Sequence, residues 1–136
     1  MTQAMRRAAT ALGMIVLLGV GAAAPALAQS PWVAPAADKD KKNPLPADEK
    51  TIAQGKKVAD ANCVSCHGPR GKGDGVAAAA LNPKPADWTS AKIKGETDGE
   101  LFWKISTGRG AMPAWSFLPE NDRWAVVRYI RSLGGK

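Results

Sequence analysis

Cys63-Val64-Ser65-Cys66-His67 is the stretch on which the reading of the whole chain turns. On one turn of α-helix, residues three and four apart lie on the same face, so Cys63, Cys66 and His67 can approach one large, flat partner together. These are also the only cysteines and the only histidine among 136 residues. Any chemistry that needs more such ligands is therefore starved of them.

Three competing chemistries fit the motif less well. A disulfide between Cys63 and Cys66 has no use for His67. A thioredoxin-like redox pair calls for a neighbouring βαβ pattern, which the sequence lacks. A structural zinc site takes four Cys or His ligands, and this chain offers three. The spacing C-x-x-C-H is instead that of covalent haem attachment: each thiol adds to a vinyl group, and the imidazole meets the iron. The motif predicts one covalently attached haem c per chain, bound through Cys63 and Cys66, with His67 as proximal iron ligand.

Upstream, Arg6 and Arg7 precede an apolar run from Ala8 to Ala24, followed by Pro25 and Ala26-Leu27-Ala28. A charged head, an apolar stretch and an A-x-A site make residues 1–28 a cleaved export signal, with an uncleaved membrane anchor as the alternative. The expected location is the periplasm, with no stable membrane insertion after cleavage. Cleavage removes two basic residues and no acidic one, taking the formal charge from +7 to +5. This moderate basic balance suits an acidic-surfaced protein partner, or is simply a solvated surface. It lacks the arginine-rich patch with interleaved aromatics that would favour nucleic acid. Residues 29–46, with several prolines and the charged run Asp38-Lys39-Asp40-Lys41-Lys42, read as a flexible lead-in, which leaves 47–136 as the folded domain.

Within that domain no segment alternates with a period of two, and three helices are expected. The first runs from about Asp48 through the CVSCH motif, with Ile52, Gly55, Val58, Ala59 and Asn62 on one stripe. The second opens at Thr97-Asp98-Gly99-Glu100, the spacing of a capping box, and stops at Gly108. The third spans about Glu120 to Leu133 and ends at Gly134-Gly135. Between the first two lies a long Gly/Pro-rich segment, 68–96, unusual in a compact domain unless something holds it. A large apolar cofactor would give that loop a surface to wrap.

Met112 is the only methionine beyond the leader. A lone methionine is ordinarily core filler. Here it sits in Gly108-Arg109-Gly110-Ala111-Met112-Pro113-Ala114-Trp115, between two amphipathic segments, where glycines permit close approach and Pro113 stiffens the turn. Met112 is the candidate sixth iron ligand, an open site or a lysine being the alternatives. A second neutral, soft ligand would favour reduced iron.

With these pieces in place, residues 51–135 resemble the class I, mono-haem c-type cytochromes of the small bacterial periplasmic type. The resemblance rests on Gly55-Lys56-Lys57 before CVSCH, the glycine stretch from Gly71 to Gly75, the proline segment near Pro83, GAMPAW, and the terminal RWAVVRYIRSL. It implies the all-α cytochrome c fold, about three main helices and long loops around the haem, with the first and last helices crossing closely at Gly55, near Val126 and Tyr129. It also implies that a backbone carbonyl near Pro83, with Asn82 and Pro85 as alternatives, accepts the other imidazole proton of His67. Arg109, Trp88, Trp103 and Trp115 are candidates to wall the haem or meet its propionates, ordinary core being the alternative for each tryptophan. The implied function is a non-enzymatic one-electron carrier between a redox donor and acceptor, with Lys72, Lys84, Lys92, Lys94 and Lys104 framing the exposed edge. The alternatives are an electron-accepting haem subunit of a particular dehydrogenase or reductase, and a ligand binder or peroxidase with an open sixth site.

Overall fold

The computed structural model describes residues 30–135, so the expected leader at residues 1–28 lies outside the described residues. All regular structure among them is helical, as expected: α1 (Ala36–Lys39), α2 (Glu49–Asn62), α3 (Val64–His67), a 3₁₀ turn (Ala78–Ala80), α4 (Ala91–Gly95), α5 (Asp98–Thr107) and α6 (Glu120–Leu133). The sole β feature among these residues is an isolated bridge between Arg109 and Met112.

The first and last long helices carry the architecture. Asp48 caps α2 by accepting the Thr51 amide at 2.8 Å, a bond that satisfies one of the helix's free first-turn donors. Two turns on, α2 crosses α6 so closely that a Cβ at Gly55 would stand 1.9 Å from the Ala125 carbonyl oxygen and 3.0 Å from Tyr129 Cβ. Only glycine fits. The atoms nearest the crossing point are those of Ala125 and Tyr129. α6 buries Trp124, Ala125, Val126, Val127, Tyr129 and Ile130, and Val127 is fully enclosed.

The second predicted helix is α5, and its capping box is complete. The Glu100 amide donates to Thr97 Oγ1 at 3.1 Å and the Thr97 amide donates to Glu100 Oε2 at 2.6 Å. Leu101, Phe102 and Ile105 face inward, and Phe102 stacks on Trp124 of α6 with centroids 3.8 Å apart. Arg131 of α6 then ties in the preceding segment, donating to Asp98 at 2.7 Å and to the carbonyl oxygens of Ile93 and Glu96.

Two features depart from the expectations. The first helix does not run through the haem motif: α2 ends at Asn62, Cys63 caps it at φ −117°, and α3 starts afresh at Val64. The second correction concerns residues 29–46. The compact unit begins at Trp32, not at 47. Ala34 is buried, Thr97 Oγ1 donates to the Lys39 carbonyl at 2.7 Å, and Asn43 Nδ2 donates to the Trp124 carbonyl at 3.0 Å. Arg128 reaches back to the Leu45 carbonyl at 2.6 Å. Residues 32–46 form a strap across α5 and α6, seated where Gly99 presents no side chain; a Cβ there would lie 2.0 Å from the Asp38 carbonyl oxygen.

These two close approaches differ in what can yield. Gly55→Ala forces apart two long packed helices and is expected to cost about 3 kcal/mol, at the upper end for an overpacked site. Gly99→Ala pushes only on the strap and should cost about 1 kcal/mol. Denaturant unfolding checks both. Deleting residues 32–46 should abolish the Gly99→Ala effect and leave that of Gly55→Ala intact, since only the former acts through the strap; equal effects in the truncated chain would contradict the strap's seating.

Candidate functional site

The short α3 follows α2 after the single residue Cys63, so the α2–α6 crossing fixes where the segment bearing Cys63, Cys66 and His67 begins. Its last carbonyls would be orphaned at the helix end, and the long loop after it supplies their partners. The amides of Gly73, Gly75 and Ala77 donate to the carbonyls of His67, Cys66 and Ser65 at 2.8, 3.1 and 2.9 Å. The loop therefore wraps α3 with its own backbone, a source of order beyond the cofactor surface that its length alone suggests. Farther along, the Trp88 amide donates to the Gly71 carbonyl at 2.7 Å.

His67 is buried, with 9% of its surface exposed. Its Nδ1 lies 3.0 Å from the Ala86 carbonyl oxygen. A carbonyl can only accept, so Nδ1 carries the proton and Nε2 keeps its lone pair. The accepting carbonyl belongs to Ala86, not to Asn82, Pro83 or Pro85. Burial lowers the pKa of His67 from its ordinary value, opposed by the Ala86 bond, so the ring is a neutral Lewis base near pH 7. One of its faces is covered by Trp88, with ring centroids 4.5 Å apart and planes 22° from parallel.

Cys63 and Cys66 are free thiols. Burial, followed by the neighbouring Cys66, raises the Cys63 pKa to about 11. A protonated thiol is a poor disulfide-exchange nucleophile. Among the described residues, no group of three or more His, Cys, Asp and Glu side chains is gathered to hold a metal ion. The two thiols and the imidazole do not converge on a point, so they suit a broad group held at its edge and centre. The donor chemistry fits haem.

Met112 comes from the other side of the sequence, in a turn closed by two backbone bonds. Arg109 N donates to Met112 O at 2.8 Å, and Met112 N to Arg109 O at 3.0 Å. Gly108 and Gly110 take φ of +61° and +58°, the left-handed region glycine enters without strain. Beyond the turn, the Trp115 amide donates to the Ile105 carbonyl at 3.0 Å. Arg123 bonds the Leu118 carbonyl and the Ser106 hydroxyl, with its guanidinium over the Phe102 ring. The loop is thus pinned to α5 at both ends, and Met112 packs, partly buried, against the core that includes Phe102 and Ile105.

The remaining candidates separate. Trp115 packs beside the core near Phe117, and Trp88 lies against His67. Trp103 instead faces Trp32 of the strap, centroids 6.4 Å apart. Lys104 does not frame an exposed edge: its ammonium is 2.6 Å from Glu96 and 5.4 Å from the Trp32 ring centroid. Lys72 is held by Thr89 and Asp87, while Lys92 and Lys94 extend from α4.

An all-α fold with a close crossing of its end helices, a C-x-x-C-H motif at the end of the first of them and a glycine-flanked methionine turn after α5 is that of a c-type cytochrome. Residues 50–130 match the family model described as "Cytochrome C oxidase, cbb3-type, subunit III", and the chain belongs to this family of c-type cytochromes. It is 37% identical over 97 residues to the cbb3-type cytochrome c oxidase subunit CcoP of Azospirillum sp. (strain B510), covering 65% of this chain and 31% of that protein. The chain therefore spans about a third of the length of such relatives. Cytochrome c6 of Cladophora glomerata is 36% identical over 85 residues, 61% of this chain and 89% of that one. Among solved structures, the Kuenenia stuttgartiensis reducing HAO-like protein complex Kustc0457/Kustc0458 aligns with a TM-score of 0.59 at 33% identity, over 66% of this chain and 46% of that chain. The chain is an electron-transfer haem protein.

The two turn glycines give a direct test of how Met112 is held. Gly110→Ala meets nothing within 4 Å and should cost only the left-handed backbone penalty, about 1 kcal/mol. At Gly108 a Cβ would also lie 2.4–2.6 Å from the backbone of residues 112–114, so Gly108→Ala is expected to cost about 3 kcal/mol. Denaturant midpoints of the two variants check this; equal costs would contradict the turn as described.

Proposed function

We propose that this cytochrome is an exported one-electron carrier binding a single haem c covalently, with Cys63 and Cys66 as its thioether residues and His67 and Met112 as axial ligands. The observation that carries the reading is the His67–Ala86 bond, which frees Nε2 of a buried, neutral imidazole immediately after two unpaired thiols. Haem c supplies the one-electron Fe(II)/Fe(III) couple. The chain's own residues do the rest. The thiols tether, the Ala86 carbonyl sets the His67 tautomer and basicity, and the closed Arg109–Met112 turn holds the partly buried thioether against the core. Neither axial residue need leave, so the reading is of a carrier and not an enzyme. Lys84, Lys92 and Lys94, which are exposed, suit an acidic-surfaced donor or acceptor. The location supported is the periplasm, with residues 1–28 removed as a signal; no helix among the described residues is long and apolar enough to cross a membrane.

A second reading draws on the share of the relatives that this chain spans. The matched segment is 31% of an oxidase subunit in Azospirillum, which is compatible with a haem domain that accepts electrons within one redox complex; the match to 89% of a cytochrome c6 supports the carrier.

Met112→Ala separates the bound-methionine reading from an open or lysine-ligated site. The oxidised wild-type protein should show a sulfur-to-iron charge-transfer band, which the variant should lack, and the variant's reduction potential should fall markedly, because a soft neutral ligand to reduced iron is lost. An unchanged band and potential would rule Met112 out as the ligand.

A further inference from the structure

The His67 ring is restrained on two sides by one short piece of chain. Ala86 accepts the Nδ1 proton at 3.0 Å, and two residues later Trp88 lies face to face with the imidazole at 4.5 Å and 22°. A hydrogen bond alone holds one ring edge and tolerates tilting, because its angular dependence is soft near linearity. A stacked indole blocks that tilt. Stacking carries its own preference for near-parallel, offset rings.

The indole is itself braced. Trp88 is 6% exposed, its amide is bound to Gly71, and Tyr129 of α6 meets it edge-on with centroids 6.3 Å apart. A Cβ at Gly71 would come within 2.6 Å of the indole Cε3 and 3.0 Å of Leu133 Cδ1, so the ring sits in a slot that only glycine leaves open. Between the two contacts, the Asp87 carboxylate accepts both the amide and the hydroxyl of Thr89 at 2.7 Å. Residues 86–89 act as one clamp with two contact points, anchored through Tyr129 to the helix crossing.

Resting on the assignment of His67 as an iron ligand, we propose that Trp88 is a positioning residue for that ligand: its stacked indole fixes the plane of the imidazole and so the orientation of the ligand's π orbital at the iron. Axial-ligand geometry set by surrounding protein groups is one of the levers a protein has over a haem. An indole that merely filled core space would need no ring, and any side chain of similar bulk would serve.

The test compares Trp88→Leu and Trp88→Phe in the full-length holoprotein. The readout is the spread of haem-methyl resonances in the ferric NMR spectrum, which reports the orientation of the axial ligands, the imidazole plane included. Denaturant midpoints are measured alongside. Trp88→Leu should lower stability and also redistribute the haem-methyl shifts; Trp88→Phe, which keeps a flat ring, should lower stability while retaining the wild-type pattern. A wild-type pattern in Trp88→Leu would reduce Trp88 to core packing and overturn the proposal. If Trp88→Leu fails to acquire haem, Trp88→Phe decides alone: a displaced pattern there overturns the proposal and a retained one supports it. Failure of the underlying ligand assignment looks different, since the wild-type protein would then lack a low-spin, histidine-ligated haem altogether.

Discussion

The crossing of α2 and α6 at Gly55 sets the position of every other element near the site. Backbone meets backbone there, with room for no side chain on α2. Because α3 follows α2 after a single residue, the crossing fixes the starting point of the chain segment that bears Cys63, Cys66 and His67. It fixes the far side as well. Tyr129, one of the residues at the crossing, braces Trp88, and Trp124, just over one turn earlier on α6, stacks on the α5 residue Phe102. α5 in turn holds the loop after the Met112 turn through the bond from the Trp115 amide to the Ile105 carbonyl. The segments bearing His67 and Met112 thus both hang from one helix pair.

Side chains and backbone divide the labour within this frame. Aromatic stacking and aliphatic burial set the helices, while backbone carbonyls set the site. His67 is oriented by the Ala86 carbonyl, the end of α3 is satisfied by loop amides, and the methionine turn closes on itself. Polar groups buried near the site are paired instead of being left to water, as a low-dielectric interior requires. Among the described residues one buried carboxylate oxygen departs from this: Lys104 binds one oxygen of Glu96, while its Oε2 lacks a hydrogen-bond partner.

The parts legible in the sequence are those whose signal is carried by side chains at fixed spacing. The Thr97/Glu100 capping box and the Trp124–Val127–Ile130 stripe each name their own structure. The parts that are not legible are held by backbone atoms or by contacts remote in sequence. The strap at 32–46 looks like a linker because it is rich in proline and charge, yet Thr97, Asn43 and Arg128 dock it through main-chain carbonyls that no residue pattern records. The five-residue α4 is too short for a periodicity to show. The choice of Ala86 over Asn82, Pro83 or Pro85 depends on how a loop closes. Lys104 has the sequence context of a surface charge, and only the fold brings Glu96 and Trp32 around it.

The two thiols and the imidazole of residues 63–67 are proposed to seat one covalent haem, and the chemistry of the whole molecule follows from that. Intact-mass measurement and peptide mapping of the protein purified from its native host address it without intermediaries. The expected result is a chain starting at Gln29 that carries the mass of a single haem, cross-linked at both Cys63 and Cys66. A chain of unmodified mass, or one whose two cysteines are joined as a disulfide, would contradict it.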